Sequence, residues 1–347
     1  MKEGIVLAGR TTIGLGGKAR LFAQCESVDE LRSALTYASR NQIRFMLLGG
    51  GSNVIFPDEG FDGLVIGVFM KGYRFEPVAE GILLDAAAGE EWDPLVSESV
   101  AKGFAGIECL SGIPGLVGAT PIQNVGAYGQ EVADTIRSVE AIDLRSMNDV
   151  HFDNMDCQFD YRQSRFKGID KDRFAITRVT FLLHPGGKPS LAYPELRKHI
   201  ESRHPGSVDI ATVRQTVLAL RKGKSMVLDP ADPNCRSVGS FFMNPIVSRE
   251  FFETLQRDLS RSGAPAGIPS FPGHANTVKI PAAWLVEHSG FRKGFRKGGV
   301  GISANHALAL VNHGGTAKQL LALAEEIREA VKRKYSIMLQ IEPSIIV

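Results

Sequence analysis

Residues 112–129 are dense in glycine and short on charge, and few folds can use such a stretch. Glycine recurs at every third position through Gly112-Ile113-Pro114-Gly115-Leu116-Val117-Gly118, and Ala119-Thr120-Pro121-Ile122-Gln123-Asn124-Val125-Gly126-Ala127-Tyr128-Gly129 follows. With so few Cβ atoms, the backbone can approach something flat or phosphorylated closely, or cross tightly between strands. An earlier cluster, Gly49-Gly50-Gly51-Ser52-Asn53, follows the apolar run Arg44-Phe45-Met46-Leu47-Leu48, which reads as a buried strand. Consecutive N–H groups in such a turn can face one concavity and cradle a phosphate. Neither stretch is a GxGxxG fingerprint or a Walker loop, and either alone is explained by a structural turn. As a pair separated by a domain's width, they suit a dinucleotide better than a mononucleotide.

A chain of 347 residues is long enough for two or three domains. In the first section, Ser27 and Glu30 predict a capping box opening a helix with Leu31, Ala34, Leu35 and Ala38 on one face. A strand at 65–66 is expected after a turn at Phe61-Asp62-Gly63. The second section, from Phe69, predicts a strand over 82–87 and a helix capped by Asp93 with Pro94 first. Strands over 138–144 and 175–183 follow, then a helix over 211–221 that ends in the cationic Arg221-Lys222-Gly223-Lys224. Asp229-Pro230-Ala231-Asp232-Pro233-Asn234 reads as a connector into a third section. There, 281–290 predicts a short helix and 316–335 a long one. Thr316 and Gln319 box the long helix, with Leu320, Leu323, Ile327 and Val331 as its buried stripe. A final strand is expected over 337–341.

The 40 basic and 38 acidic residues give a net charge of +2, which argues against a nucleic-acid binder. Cys25, Cys109, Cys157 and Cys235 are widely spaced, as reduced and mostly buried thiols are. With neither a secretory apolar region nor a membrane-length apolar segment, the expectation is a cytoplasmic protein. The histidines show no HExxH and no zinc spacing, and no GxSxG elbow is present, so neither a catalytic metal nor a hydrolase is expected. The doublet Phe291-Arg292-Lys293-Gly294-Phe295-Arg296-Lys297-Gly298 interleaves aromatics with cations. It could be a solvated loop, a stacking surface for nucleic acid or a rim around a diphosphate. Ser240, Arg162 and Glu342, taken singly, would pass for a capped turn, a surface arginine and a strand-end carboxylate.

Taken together, Leu48-Gly49-Gly50-Gly51-Ser52-Asn53-Val54, the 112–129 stretch, Tyr161-Arg162-Gln163-Ser164-Arg165-Phe166, Gly239-Ser240-Phe241-Phe242 and Ala282-Ala283-Trp284-Leu285-Val286-Glu287 resemble the UDP-N-acetylenolpyruvoylglucosamine reductase family. The resemblance runs nearly end to end, from Arg10-Thr11-Thr12-Ile13-Gly14 to Glu342-Pro343. It implies an α+β protein with the FAD-binding fold of vanillyl-alcohol-oxidase-type enzymes in two subdomains, 1–68 and 69–224. A separate α+β substrate-binding section, 225–334, would follow, with 335–347 returning to the first. It implies a monomer that uses non-covalent FAD, NADPH as reductant and UDP-N-acetylglucosamine enolpyruvate as substrate, with no nucleic-acid or membrane partner. Gly49, Gly50, Gly51, Ser52, Asn53, Val54, Gly112, Gly115, Gly118, Ile122, Gln123, Asn124 and Gly126 become cofactor-binding positions. Tyr128, Tyr193, Asn244 and Lys279 become substrate-side ones, Tyr193 lying on the tyrosine loop of the longer subtype.

By the same resemblance Ser240 is the proton donor, and Arg162 and Glu342 act on the substrate carboxylate and the developing enolate. An arginine fork suits that group because it pairs with a carboxylate in two places. Where family members often carry lysine after Gly-Ser-Phe-Phe, this chain has Met243, and its 229–237 linker is slightly longer. Lys224, Arg221 or the Arg292-Lys293 loop could supply the charge. Two other classes compete with this reading. A sugar or alcohol oxidase on the same flavin fold often binds FAD covalently through His or Cys, which neither glycine loop contains. A non-catalytic nucleotide-sugar binder has no need for a proton donor.

Overall fold

The computed structural model describes residues 1–203, 206–261 and 267–347. The chain folds as two compact units. One comprises Met1–Val6, Lys18–Gly51 and Gly60–Leu228; the other comprises Leu7–Gly17, Ser52–Glu59 and Asp229–Val347. The boundary near 228 lies at the expected connector. Residues 7–17 and 52–59, which local sequence assigns to the first section, belong to the second unit instead.

In the first unit, a four-stranded sheet runs in the order Lys2–Val6, Lys18–Cys25, Phe61–Val68, Phe45–Leu48. Its first pair is antiparallel and the other two are parallel. Helix α1, Val28–Arg40, starts where Ser27 accepts the Glu30 N–H, although the Glu30 carboxylate reaches back to the Glu26 N–H rather than to that of Ser27. The expected stripe, Leu31, Ala34, Leu35 and Ala38, is buried against Ala23, Cys25, Leu64 and Ile66. A second, antiparallel sheet runs in the order Asp149–Asp153, Ile136–Asp143, Phe174–Pro185, Gly81–Ala87, Tyr73–Val78, with Phe104–Ala105 pairing the end of Phe174–Pro185. Helix α2, Trp92–Ala101, buries Trp92, whose Nε1 donates to the Leu110 carbonyl at 3.1 Å. Helices α3, Pro194–Glu201, and α4, Ile210–Gly223, enclose a small core of Cys109, Leu196, Ile200, Val213, Val217 and Leu220. No helix was expected at α3.

In the second unit, helices α5, Arg249–Arg261, α6, Ala282–His288, and α7, Ala317–Tyr335, pack around Phe241, Phe242, Leu285 and Tyr335. The α7 stripe is buried and its Thr316–Gln319 box is closed in both directions. Asp58 adds a second cap, accepting from the Ala317 and Lys318 N–H groups at 2.8 and 3.0 Å. The expected strand over 337–341 is absent. Ile341 makes only an isolated bridge to Phe242, and the terminal strand is Ser344–Ile345, parallel to Val54–Ile55. Glu342-Pro343 intervenes, and proline has no N–H to continue a ladder. Among the described residues, no helix is long and apolar enough to cross a membrane, and all four cysteines are free, three of them buried.

Candidate active site

The two glycine stretches, distant in sequence, meet within the first unit. A Cβ added at Gly50 would lie 3.0 Å from the Gly115 Cα, so the loops pack backbone on backbone. Gly118 is held as tightly from the other side. Its N–H donates to the Ala88 carbonyl at 2.9 Å, and an added Cβ would lie 2.5 Å from that of Ala88. Gly51, at φ +65°, needs the left-handed region that glycine enters freely, and there the chain leaves the unit.

Asp93 does not cap α2. Glu91 takes that place without a side-chain bond, and Asp93 lies inside the first turn. Its carboxylate instead accepts from the Gly112 N–H at 2.5 Å and from both Arg214 nitrogens at 2.6 and 2.9 Å. Burial pushes the Asp93 carboxyl upward in pKa, but these donors outweigh it and hold it below the usual carboxylate value. The residue thereby anchors the start of the second loop, a role that local sequence did not disclose.

The segment 160–166 braces the loop's far end. Arg162, at φ +54°, donates to the carbonyls of Asn124 at 3.4 Å and Gly126 at 2.5 Å. The buried Ser164 donates to the Ile122 carbonyl at 2.6 Å and accepts from the Phe166 N–H at 3.1 Å. Asn124 is also buried. Its amide donates to Glu131 and to the Asp160 carbonyl, and its oxygen accepts from the Ala133 N–H. Asn124, Tyr128 and Arg162 all have left-handed backbone, an uncommon conformation for residues with a Cβ that the surrounding bonds must sustain. Ile122 remains 39% exposed. Meeting loops of bare backbone, an uncharged stretch and an exposed apolar residue fit FAD held without a covalent bond.

Tyr128 and Tyr193 stand edge to face, with centroids 5.4 Å apart and planes at 88°. Burial pushes the Tyr128 phenol up to about 12. Lys224 lies 5.7 Å from the Tyr128 ring and pairs with Glu195 at 2.6 Å. Arg221 donates to the Met226 carbonyl, while its enclosed Nε has no hydrogen-bond partner. Burial lowers its pKa, opposed by Tyr128 and Asp93.

In the second unit, the half-buried Ser240 is flanked by backbone bonds. The Phe241 N–H donates to Leu308 at 2.8 Å and the Met243 N–H donates to Gln340 at 3.0 Å. The Glu342 N–H returns to the Phe241 carbonyl at 2.9 Å, next to the Phe242–Ile341 bridge. Ser240 and Glu342 are therefore on neighbouring, cross-bonded segments. The Ser344 N–H donates to the Asn53 carbonyl at 3.0 Å, so Ser52-Asn53-Val54 leads directly to the Glu342 segment. Asn244 accepts from the Ala282 N–H at 2.8 Å and so caps α6, and Lys279 ends the strand Thr277–Lys279. The end of the aromatic-cationic doublet, Arg296–Lys297, pairs antiparallel with Val300–Ile302 in a hairpin. Phe291 and Phe295 pack on the core, and Lys297 pairs with Glu326. The two rings are half-buried, with centroids 5.3 Å apart, against that core.

The fold and the loop pair define an FAD-binding oxidoreductase. Residues 19–146 match the model for an FAD binding domain, and 229–346 match that for the UDP-N-acetylenolpyruvoylglucosamine reductase C-terminal domain. Reductases of that name from Saccharopolyspora erythraea and Thermobifida fusca are each 44% identical over 99% of this chain, covering 95% and 97% of their own lengths. The crystal structure of the Thermus caldophilus UDP-N-acetylenolpyruvylglucosamine reductase superposes with a TM-score of 0.64 at 25% identity, covering 99% of this chain and 98% of that one. The chain belongs to the UDP-N-acetylenolpyruvoylglucosamine reductase family.

Proposed function

We propose that Ser240 is the proton donor and that Arg162 and Glu342 act on the substrate carboxylate. The reaction is the NADPH-dependent, FAD-mediated reduction of UDP-N-acetylglucosamine enolpyruvate to UDP-N-acetylmuramate, a step of peptidoglycan precursor synthesis. FAD held by the two glycine loops would supply the hydride chemistry, carrying a hydride from NADPH to C3 of the enolpyruvyl ether. Negative charge then grows over C2 and the carboxylate. Arg162 stabilises that charge most when it is largest, which lowers the barrier. Glu342, when it holds a proton, shares it with the same carboxylate. Ser240 delivers the proton to C2; a hydroxyl is a weak acid, but the carbon it faces is a far stronger base.

The observation that carries this reading is the cross-bonding of the Ser240 and Glu342 segments. Gly49 to Val54, Gly112, Gly115, Gly118, Ile122, Gln123, Asn124 and Gly126 hold the cofactor in this reading. Tyr128, Tyr193, Asn244 and Lys279 hold the nucleotide sugar. We assign a diphosphate contact to Lys224, because it borders Tyr128. An unchanged KM in Lys224→Ala with a raised one in Arg292→Ala would reverse that assignment. The two separate sheets of the first unit, one on each side of residue 68, support two FAD-binding subdomains, 1–68 less the 7–17 and 52–59 segments, and 69–224, with the substrate section at 225–334. The enzyme works as a cytoplasmic monomer in this reading, a state that sedimentation checks.

The test is optical. Flavin-loaded protein is yellow, bleaches with NADPH and regains colour with the enolpyruvyl nucleotide. Ser240→Ala should keep the bleaching and lose the return; equal loss in both half-reactions contradicts the assigned role.

A further inference from the structure

Glu108 takes no part in this chemistry, yet its carboxylate is entirely enclosed, with 0% exposure. Oε2 accepts from the Gly106 N–H at 2.8 Å; Oε1 accepts from Gln130 Nε2 at 2.8 Å and from the Ser190 N–H at 3.0 Å. Gln130 closes the network by accepting from the Cys109 N–H at 2.7 Å. All of these donors are uncharged. Enclosing a carboxylate is costly unless hydrogen bonds replace its water. What a carboxylate supplies here, and an apolar side chain cannot, is simultaneous acceptance from three chain segments.

Two of those segments lead to the tyrosine pair. Gln130 follows Tyr128 by one intervening glycine, and Ser190 opens the short run into Tyr193. The runs also touch: a Cβ added at Gly129 would lie 3.1 Å from the Ala192 Cβ and 3.3 Å from the Tyr193 nitrogen. The Cys109 thiol adds a contact, 3.5 Å from the Ser190 carbonyl.

We infer that Glu108 is a positioning residue. It ties the 188–193 run to the end of the second glycine loop and so sets the edge-to-face geometry of Tyr128 and Tyr193 for the nucleotide sugar. The inference rests on the reading that both tyrosines face substrate. It does not need Glu108 to touch substrate or cofactor.

The test uses flavin-loaded full-length protein. Glu108→Gln keeps the volume but has one acceptor oxygen and turns an amide donor against donors. It should raise KM for the enolpyruvyl nucleotide about tenfold. The limiting rate of flavin reduction at saturating NADPH should stay unchanged. In a Tyr193→Ala background, Glu108→Gln should add nothing further, because the residue acts through that ring. If Glu108→Gln does not yield flavin-loaded protein, Gln130→Ala, which removes one donor to Glu108 and the acceptor of the Cys109 N–H, should give the same split and the same non-additivity. An unchanged KM, or effects that add with Tyr193→Ala, overturns the inference. Should Tyr193→Ala alone leave KM unchanged, the substrate-side reading has failed and Glu108 falls with it. An active Tyr193→Ala beside an inert Glu108→Gln overturns the Glu108 assignment alone.

Discussion

Arg162 has left-handed backbone and grips the carbonyls of Asn124 and Gly126 with its own guanidinium. Ser240 instead lies beside residues whose N–H groups bond across to Leu308 and Gln340, and its hydroxyl is not part of that frame. In the first unit, side chains that could act on ligands also hold the loop in shape. Around Ser240, in the second, backbone bonds hold the shape and leave the hydroxyl to the chemistry. A substitution at Ser240 should therefore remove chemistry alone, whereas one at Arg162 should remove chemistry and architecture together.

The largest effect is expected at Ser240. Ser240→Ala should slow reoxidation by the enolpyruvyl nucleotide by about 10³–10⁴-fold in stopped flow, with Tm unchanged. A fall in Tm would show that the hydroxyl belongs to the frame after all. Arg162→Ala should slow the same step by about 10²–10³-fold. Unlike Ser240→Ala, it should also weaken FAD retention on gel filtration, since two carbonyls lose their donor.

Gly118→Ala tests the loop without touching an active side chain. Its Cβ would lie 2.5 Å from that of Ala88, so calorimetry of the flavin-free protein should show a loss of about 1–3 kcal/mol. A normal apoprotein with only FAD binding impaired would mean that the glycine serves the cofactor rather than chain packing. Ser164→Ala should cost about 1–2 kcal/mol by chemical denaturation, because the Ile122 carbonyl and the Phe166 N–H both lose their partner.

The smallest effect concerns acid. The folded state holds the Asp93 carboxyl below its unfolded value near 4. Its stabilising contribution is thus complete above that value and is lost as pH falls through the folded one. Asp93→Asn should flatten the acid limb of stability against pH. An unchanged limb would show that the Arg214 and Gly112 contacts do not bias the carboxyl.

What the sequence determined by itself lies within a few residues along the chain. Ser27 and Thr316 announce helix starts because their partners, the Glu30 and Gln319 N–H groups, are three residues away. The buried stripes of α1 and α7 follow from the 3.6-residue period, and the glycine stretches are plain to read. Tertiary structure decided who meets whom. Asp93 next to Pro94 has the local form of a cap, but the Gly112 N–H and Arg214 reach it first and in greater number. Residues 337–341 are apolar enough for a strand, yet the pairing went to Ser344–Ile345, whose partner Val54–Ile55 lies nearly the length of the chain away. Nothing near Gly50 in sequence announces Gly115 as its neighbour. Caps and periods are short-range forces written in adjacent residues; donor-acceptor choice across hundreds of residues depends on which groups the whole fold brings within 3 Å of one another.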